Sequence, residues 1–123
     1  MVIKQLQRVA NSWAIRAFGI ATVSNPKERA LRVLEEAIEL AQSEGILKHM
    51  VDHCADVVYS RPIGLANQEI GGVLVTTAVY CSCHNLDMEE VFIQELDRIL
   101  SKPLEHFAKR FQEKIDLGLA IER

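Results

Sequence analysis

With 123 residues, 49% of them hydrophobic and 25% charged, the chain has the size and composition of one globular domain, 1–123, and not of a disordered or fibrous polymer. A formal charge of -3 and a pI near 5.8 exclude the electrostatic footprint of a protein that binds duplex DNA or an anionic membrane. Neither nucleic acid nor membrane is expected as a partner.

The N-terminal residues Met1-Val2-Ile3-Lys4-Gln5 lack the apolar run of a signal peptide, and no stretch approaches the ~20 apolar residues of a membrane span. The expected location is the cytoplasm. Three cysteines are an odd number in a chain without an export signal, so the thiols are expected to be reduced. Four or five helices in so short a chain leave much apolar surface uncovered, which favours a homo-oligomer over a monomer.

Residues 3 to 18 place Ile3, Leu6, Val9, Trp13, Ala17 and Phe18 at three-to-four spacing, predicting an amphipathic helix that ends near Gly19. Asn25-Pro26-Lys27-Glu28 reads as the next helix start: Asn25 as N-cap, proline at the first helical position and Glu28 closing a capping box. Gly45 is the matching stop. Between them Leu31, Leu34, Ile38 and Ala41 form an apolar stripe that Val33 and Leu40 extend around the far side, so this helix is expected to be largely buried. A third helix is predicted over 46 to 59, ending before Pro62 in Ser60-Arg61-Pro62-Ile63-Gly64. Asn67 opens a fourth, running to about His84 and apolar almost all round, as a central helix should be. Gly71-Gly72 inside it costs about 1 kcal/mol per glycine relative to alanine, which predicts a neighbouring backbone or ligand very close by. Asp87-Met88-Glu89-Glu90 is a second capping box. The helix it starts breaks at Ser101 to Pro103, and a last amphipathic segment ends near Gly118. With no strand pattern, repeat or linker, the expected fold is all-α, a bundle of five to six helices.

One stretch stands apart. In Leu34-Glu35-Glu36-Ala37-Ile38-Glu39-Leu40, Glu35 and Glu39 are i,i+4 neighbours and Glu36 and Glu39 are i,i+3 neighbours, so like charges repel by roughly 0.2–0.5 kcal/mol per pair. The apolar stripe leaves these side chains lining a gap between packed faces, the candidate pocket. Glu69, at the start of the fourth helix, is a fourth candidate. Four carboxylates in a partly buried site need cations or raised pKa values, and hard divalent ions such as Mg²⁺ or Mn²⁺ bind carboxylate oxygens. A pair of such ions about 3.5–4 Å apart would activate water beside a phosphate. The competing reading is a solvated acidic face paired to Arg29, Arg32 and Lys48.

Glu35-Glu36-Ala37-Ile38-Glu39 followed by Glu69-Ile70-Gly71-Gly72 resembles the EExxE…ExxD signature of the MazG-like all-α nucleoside triphosphate pyrophosphohydrolases. The segments Ser12-Trp13, Phe18-Gly19, Glu28-Arg29, Tyr59-Ser60-Arg61-Pro62-Ile63-Gly64, Gln68 to Thr76 and Leu86-Asp87-Met88 are similar to a phage and bacterial branch of that superfamily, over about residues 12 to 100. The resemblance implies a helical dimer, or a dimer of dimers (a homotetramer). It also implies hydrolysis of a (deoxy)nucleoside triphosphate, in particular a purine such as dGTP or GTP, to the monophosphate and pyrophosphate. Two or more Mg²⁺ or Mn²⁺ ions would be held by Glu36, Glu39 and Glu69, with Glu35 as a further ligand or as the base that takes a proton from attacking water. Glu35 and Glu36 are thus the candidate catalytic residues. If the chain is phage-encoded, the cytoplasm is the host's.

This sequence departs from the pattern at one position: Gly72 stands where the signature has its aspartate. Asp56, Glu95 and Asp97 are the candidate replacements. Without one, either a metal keeps an extra water in that position or the chain is a non-catalytic helical module that senses nucleotide or captures another protein. For substrate binding the candidates are Trp13, stacking on a base, and Arg16 or Arg61, pairing with phosphate. A helical tryptophan also serves as core, and an arginine before proline also satisfies loop carbonyls. Cys81-Ser82-Cys83-His84 and His53-Cys54 lack zinc-site spacing, because positions 81 and 83 of a helix point in different directions. They read as buried free thiols, and His49 and His106 as exposed polar residues.

Overall fold

A computed structural model describes residues 2–121; Met1, Glu122 and Arg123 lie outside the described residues. The fold is all-α, with seven helices and no strand among the described residues. They are α1 (Val2–Phe18), α2 (Ile20–Val23), α3 (Pro26–Ser43), α4 (Lys48–Tyr59), α5 (Ala66–Cys83), α6 (Met88–Leu100) and α7 (Leu104–Asp116). The one element absent from the sequence reading is α2, a four-residue turn too short to show a hydrophobic period. None of the helices is long and apolar enough to cross a membrane.

Helix ends follow the expected chemistry. Asn25 Oδ1 accepts the Glu28 N–H at 3.4 Å, and Asp87 Oδ1 accepts the Glu90 N–H at 3.0 Å. α3 ends in a Schellman turn: Ile46 N–H bonds the Ala41 carbonyl and Gly45 N–H the Gln42 carbonyl, with Gly45 at φ 79°, a conformation that glycine adopts without a Cβ clash. α5 ends in the same way through Leu86 N–H to the Cys81 carbonyl, with Asn85 at φ 55°.

The chain divides into two compact units, Met1–Val33 with Asp87–Arg123, and Leu34–Leu86. In the first, α1 packs against α2, α6 and α7. Ala17, Leu96 and Phe107 are its buried apolar side chains. Trp13 sets its ring edge-on to Phe18 and Phe107, at 5.5 and 4.8 Å between centroids, and Phe18 meets Phe111 at 5.6 Å. Glu28 is the one fully buried large side chain among the described residues. Its carboxylate accepts the Ile121 N–H and pairs with Arg32 and Arg29 instead of reaching back to cap its own helix.

The second unit holds the last turns of α3 with α4 and α5. Here the expectation of a largely buried α3 and a central α5 fails within one chain. Leu34, Ile38 and Leu40 on α3 and Ile70, Leu74 and Val75 on α5 are all exposed. Cys81 is the unit's buried residue. Gly71 and Gly72, predicted to mark a close approach, have nothing within 4 Å of where a Cβ would sit. The physical reason is that no other helix within this unit covers these faces.

Candidate functional site

The apolar spacing that builds the last turns of α3 also makes one wall of a groove. Leu34, Ala37, Ile38 and Ala41 face Met50, Cys54 and Val58 of α4 across an opening of about 1280 Å³. The loop Arg61-Pro62-Ile63-Gly64 and the first turn of α5, with Ala66 and Glu69, also line it. The lining is largely apolar, with Arg61 and Glu69 its charged residues and Tyr59 a third polar one, a combination suited to a ligand with one apolar and one charged part.

Glu69 is held close to the loop: a Cβ built on Gly64 would lie 2.6 Å from Glu69 Oε1 and 3.1 Å from its Cδ. The absence of a side chain at Gly64 therefore leaves room for this carboxylate. Glu35 is half-buried, while Glu36, Glu39 and Glu69 are exposed. Of these four, Glu69 lines the groove; the α3 carboxylates stand off the Leu34–Ile38 stripe. Neither Glu35 nor Glu36 is without a partner. Among the described residues, no three His, Cys, Asp or Glu side chains are gathered as metal ligands. The structure thus places the four glutamates in one unit.

Each of the cations expected to cover the acidic face takes part in an ion pair. Lys48 pairs with Asp52 at 2.9 Å, which raises the Lys48 pKa through that hydrogen bond. Arg29 and Arg32 ion-pair with Glu28 at 3.4 and 3.1 Å. Burial pushes the Arg29 guanidinium below its ordinary range, and Glu28 opposes that shift.

Of the substrate-binding candidates, Arg61 lines the groove. Trp13 and Arg16 belong to the first unit. There Trp13 is half-buried in the aromatic cluster and its indole N–H has no acceptor among the described residues, while Arg16 Nε donates to the Ser12 carbonyl at 3.3 Å. Among the possible replacements for the missing aspartate, Glu95 is held by Arg98 at 2.6 Å, which lowers its pKa. Glu95 and Asp97 lie on α6 in the first unit; Asp56, on α4, shares the unit of the groove without lining it.

Two expectations about histidine and cysteine need correction. His106 is not an exposed polar residue: its ring stacks edge-on to Phe107 at 5.0 Å and its Nε2 is buried. The free thiols are not uniformly buried: Cys81 is, but Cys54 and Cys83 are exposed.

Sequence reasoning missed a polar cluster in the second unit. Glu44 Oε1 accepts the Tyr80 hydroxyl at 2.6 Å and pairs with His84 Nε2 at 2.8 Å. The Tyr80 hydrogen bond is the main cause of a lowered Glu44 pKa, and the same bond raises that of Tyr80. Tyr80 and His84 share an i,i+4 face, which was visible; their reach to the end of α3 was not.

No protein-family model matches the chain, and no curated protein or solved structure is significantly similar to it.

Proposed function

We propose that the protein hydrolyses a (deoxy)nucleoside triphosphate, a purine such as dGTP or GTP, to the monophosphate and pyrophosphate with the help of Mg²⁺ or Mn²⁺. The observation that carries this reading is the placement of Glu35, Glu36 and Glu39 on the same unit as a groove whose charged lining residues are Arg61 and Glu69. Resemblance to the MazG-like signature over these residues supplies the reaction class.

The donor set fits a hard divalent cation in its chemistry, since all four side chains offer carboxylate oxygens and Glu69 lacks a competing ion pair among the described residues. Glu36, Glu39 and Glu69, with Glu35 as a further ligand or as the base, would hold two or more such ions. These would offset charge on the phosphates and lower the pKa of bound water. The chain's own groups do the rest. The apolar walls from Leu34 to Val58 exclude water around the base. Arg61 pairs with a phosphate oxygen. Glu35 takes the proton from water as its oxygen attacks the α-phosphorus, and the bond from that phosphorus to the bridging oxygen breaks, releasing pyrophosphate. In this reading the protein works as a homodimer or homotetramer.

A second reading is favoured by Gly72, which stands at the position of the signature aspartate: a non-catalytic helical module that binds nucleotide or another protein. Chromatography of products decides between them. The purified protein is incubated with each common NTP and dNTP in Mg²⁺ or Mn²⁺, beside Glu36→Gln and Glu69→Gln. Monophosphate and pyrophosphate formed only by the intact protein support hydrolysis. No turnover of any nucleotide by folded protein would sink the enzyme reading.

A further inference from the structure

Three-to-four spacing puts Asn25, Glu28 and Arg32 on one side of the start of α3. Each of them holds main chain of the segment that follows α7. Glu28 Oε2 accepts the Ile121 N–H at 2.8 Å, Arg32 Nη2 donates to the Leu119 carbonyl, and Asn25 Nδ2 donates to the Ile121 carbonyl at 3.5 Å. All of these residues belong to the first unit. Glu28 has no solvent exposure, and a carboxylate leaves water only where donors and cations replace its hydration. The Ile121 N–H is one such donor, and Arg29 and Arg32 are the cations.

This seat takes little account of the side chains it holds. Leu117 is 74% exposed, Leu119 46% and Ile121 37%, although burial of apolar side chains is the usual source of hold on a chain segment. Local geometry delivers the segment: Leu119 N–H bonds the Lys114 carbonyl and Gly118 N–H the Ile115 carbonyl, with Gly118 at φ 72°, the glycine-centred turn that ends a helix. Residues 119–121 are therefore a strap kept in place by main-chain hydrogen bonds with little apolar cover. Such a segment lies at the low-stability end of a fold and opens without global unfolding.

We infer that Asn25, Glu28 and Arg32 form a binding site for a short non-helical segment of a partner protein, a site that residues 119–121 fill in the free chain as an internal competitor. Two arguments select this partner. The carboxylate at the centre of the seat accepts an N–H but repels phosphate, so neither a nucleic acid nor a lipid headgroup takes the place of the strap. The strap of a second copy has the same sequence without the tether, and it loses to the tethered one, whose effective concentration is about millimolar. A segment that wins presents the same N–H and carbonyls and buries more of its side chains than Leu117 and Leu119 do. The inference does not depend on the hydrolase reading, and its test reads peptide binding instead of turnover.

Two measurements on the full chain test it. In hydrogen exchange of the wild-type protein, the Ile121 N–H should be protected yet exchange faster than the amide of the buried Leu96. Protection equal to that of Leu96 overturns the proposal, because the strap then leaves only when the unit unfolds. Absence of protection also overturns it, because the strap is then not seated. Fluorescence anisotropy follows, with a dye-labelled peptide amide of the sequence Leu-Gly-Leu-Ala-Ile, copied from residues 117–121. Ile121→Pro, whose own strap lacks the N–H, should bind it about ten-fold or more tightly than wild type. Methylating the isoleucine nitrogen of the peptide should weaken binding to Ile121→Pro by about ten-fold or more. Equal binding by wild type and Ile121→Pro, equal binding of the methylated peptide, or no binding by folded Ile121→Pro each overturns the proposal. The exchange measurement decides on its own if Ile121→Pro does not fold.

Discussion

Glu28 Oε2 accepts the backbone N–H of Ile121 at 2.8 Å across 93 residues of sequence, from a side chain with no solvent exposure. Its other oxygen meets Arg32 Nε at 3.1 Å, and Arg32 Nη2 donates onward to the Leu119 carbonyl. Asn25 Nδ2 reaches the Ile121 carbonyl at 3.5 Å. The start of α3 thus fastens the segment after α7 through one buried charge. Removing one member of a buried ion pair leaves the other uncompensated, at a cost of about 3–5 kcal/mol; the partial exposure of both arginines points to the lower end. Glu28→Ala is expected to destabilise the first unit by about 3 kcal/mol in urea unfolding. Glu28→Gln, which keeps an acceptor for Ile121, should lose less. Equal stability of Glu28→Ala and wild type would contradict this role.

The Glu44–Tyr80 hydrogen bond should make the second unit sensitive to pH at both extremes. Glu44 has its folded pKa lowered, chiefly by the Tyr80 hydroxyl. Its contribution is therefore present above the ordinary glutamate range and is lost as pH falls through the depressed value. Tyr80 has its folded pKa raised by the same bond, so its contribution is full below the ordinary tyrosine range and is lost as pH rises through the elevated value. In Tyr80→Phe the Glu44 carboxyl should titrate closer to its ordinary value, read by NMR of that carboxyl. An unchanged titration would show that the bond is not formed in solution.

Local signals carried most of the fold. Asn25, Gly45 and Asp87 name helix ends through side-chain and backbone chemistry within five residues, and each sits where its residue type requires. Burial was harder to read. The stripe of Leu34 and Ile38 and the all-round apolar character of α5 say that these faces need cover, not which chain provides it, and within one chain they stay exposed. The candidate site shows the same divide: the i,i+3 and i,i+4 spacing places Glu35, Glu36 and Glu39 on one helix, but side-chain convergence with Glu69 depends on tertiary placement that spacing does not encode. Glu28 is the clearest misreading. Its position in a capping box explained it locally, and only the folded chain brings Ile121 to it.

Trp13 offers a test of whether an aromatic expected to stack on a base is instead part of a core. Its ring lies edge-on to Phe18 and Phe107, so Trp13→Ala should cost about 3–5 kcal/mol through the cavity it leaves. Trp13→Phe keeps aromatic packing and removes an indole N–H that has no acceptor among the described residues, so it should cost about 1 kcal/mol or less. Urea unfolding of both variants measures the difference. Trp13→Phe with wild-type stability and a selective rise in KM for nucleotide would return the residue to the substrate.

Gly64 controls where the Glu69 carboxylate can rest. A Cβ at Gly64 would stand 2.6 Å from Glu69 Oε1, closer than two such atoms can sit, so Gly64→Ala must displace the carboxylate. The displaced atoms are the end of a flexible side chain, and Gly64 is not at positive φ. The change should therefore cost less than about 1 kcal/mol in stability. If Glu69 is a metal ligand, the same substitution must alter Mn²⁺ affinity, because ligand position decides coordination. Isothermal titration of Mn²⁺ into wild type, Gly64→Ala and Glu69→Gln separates the cases. A changed affinity in Gly64→Ala and loss in Glu69→Gln place Glu69 at the ion; identical Mn²⁺ binding in all three proteins removes it from the site.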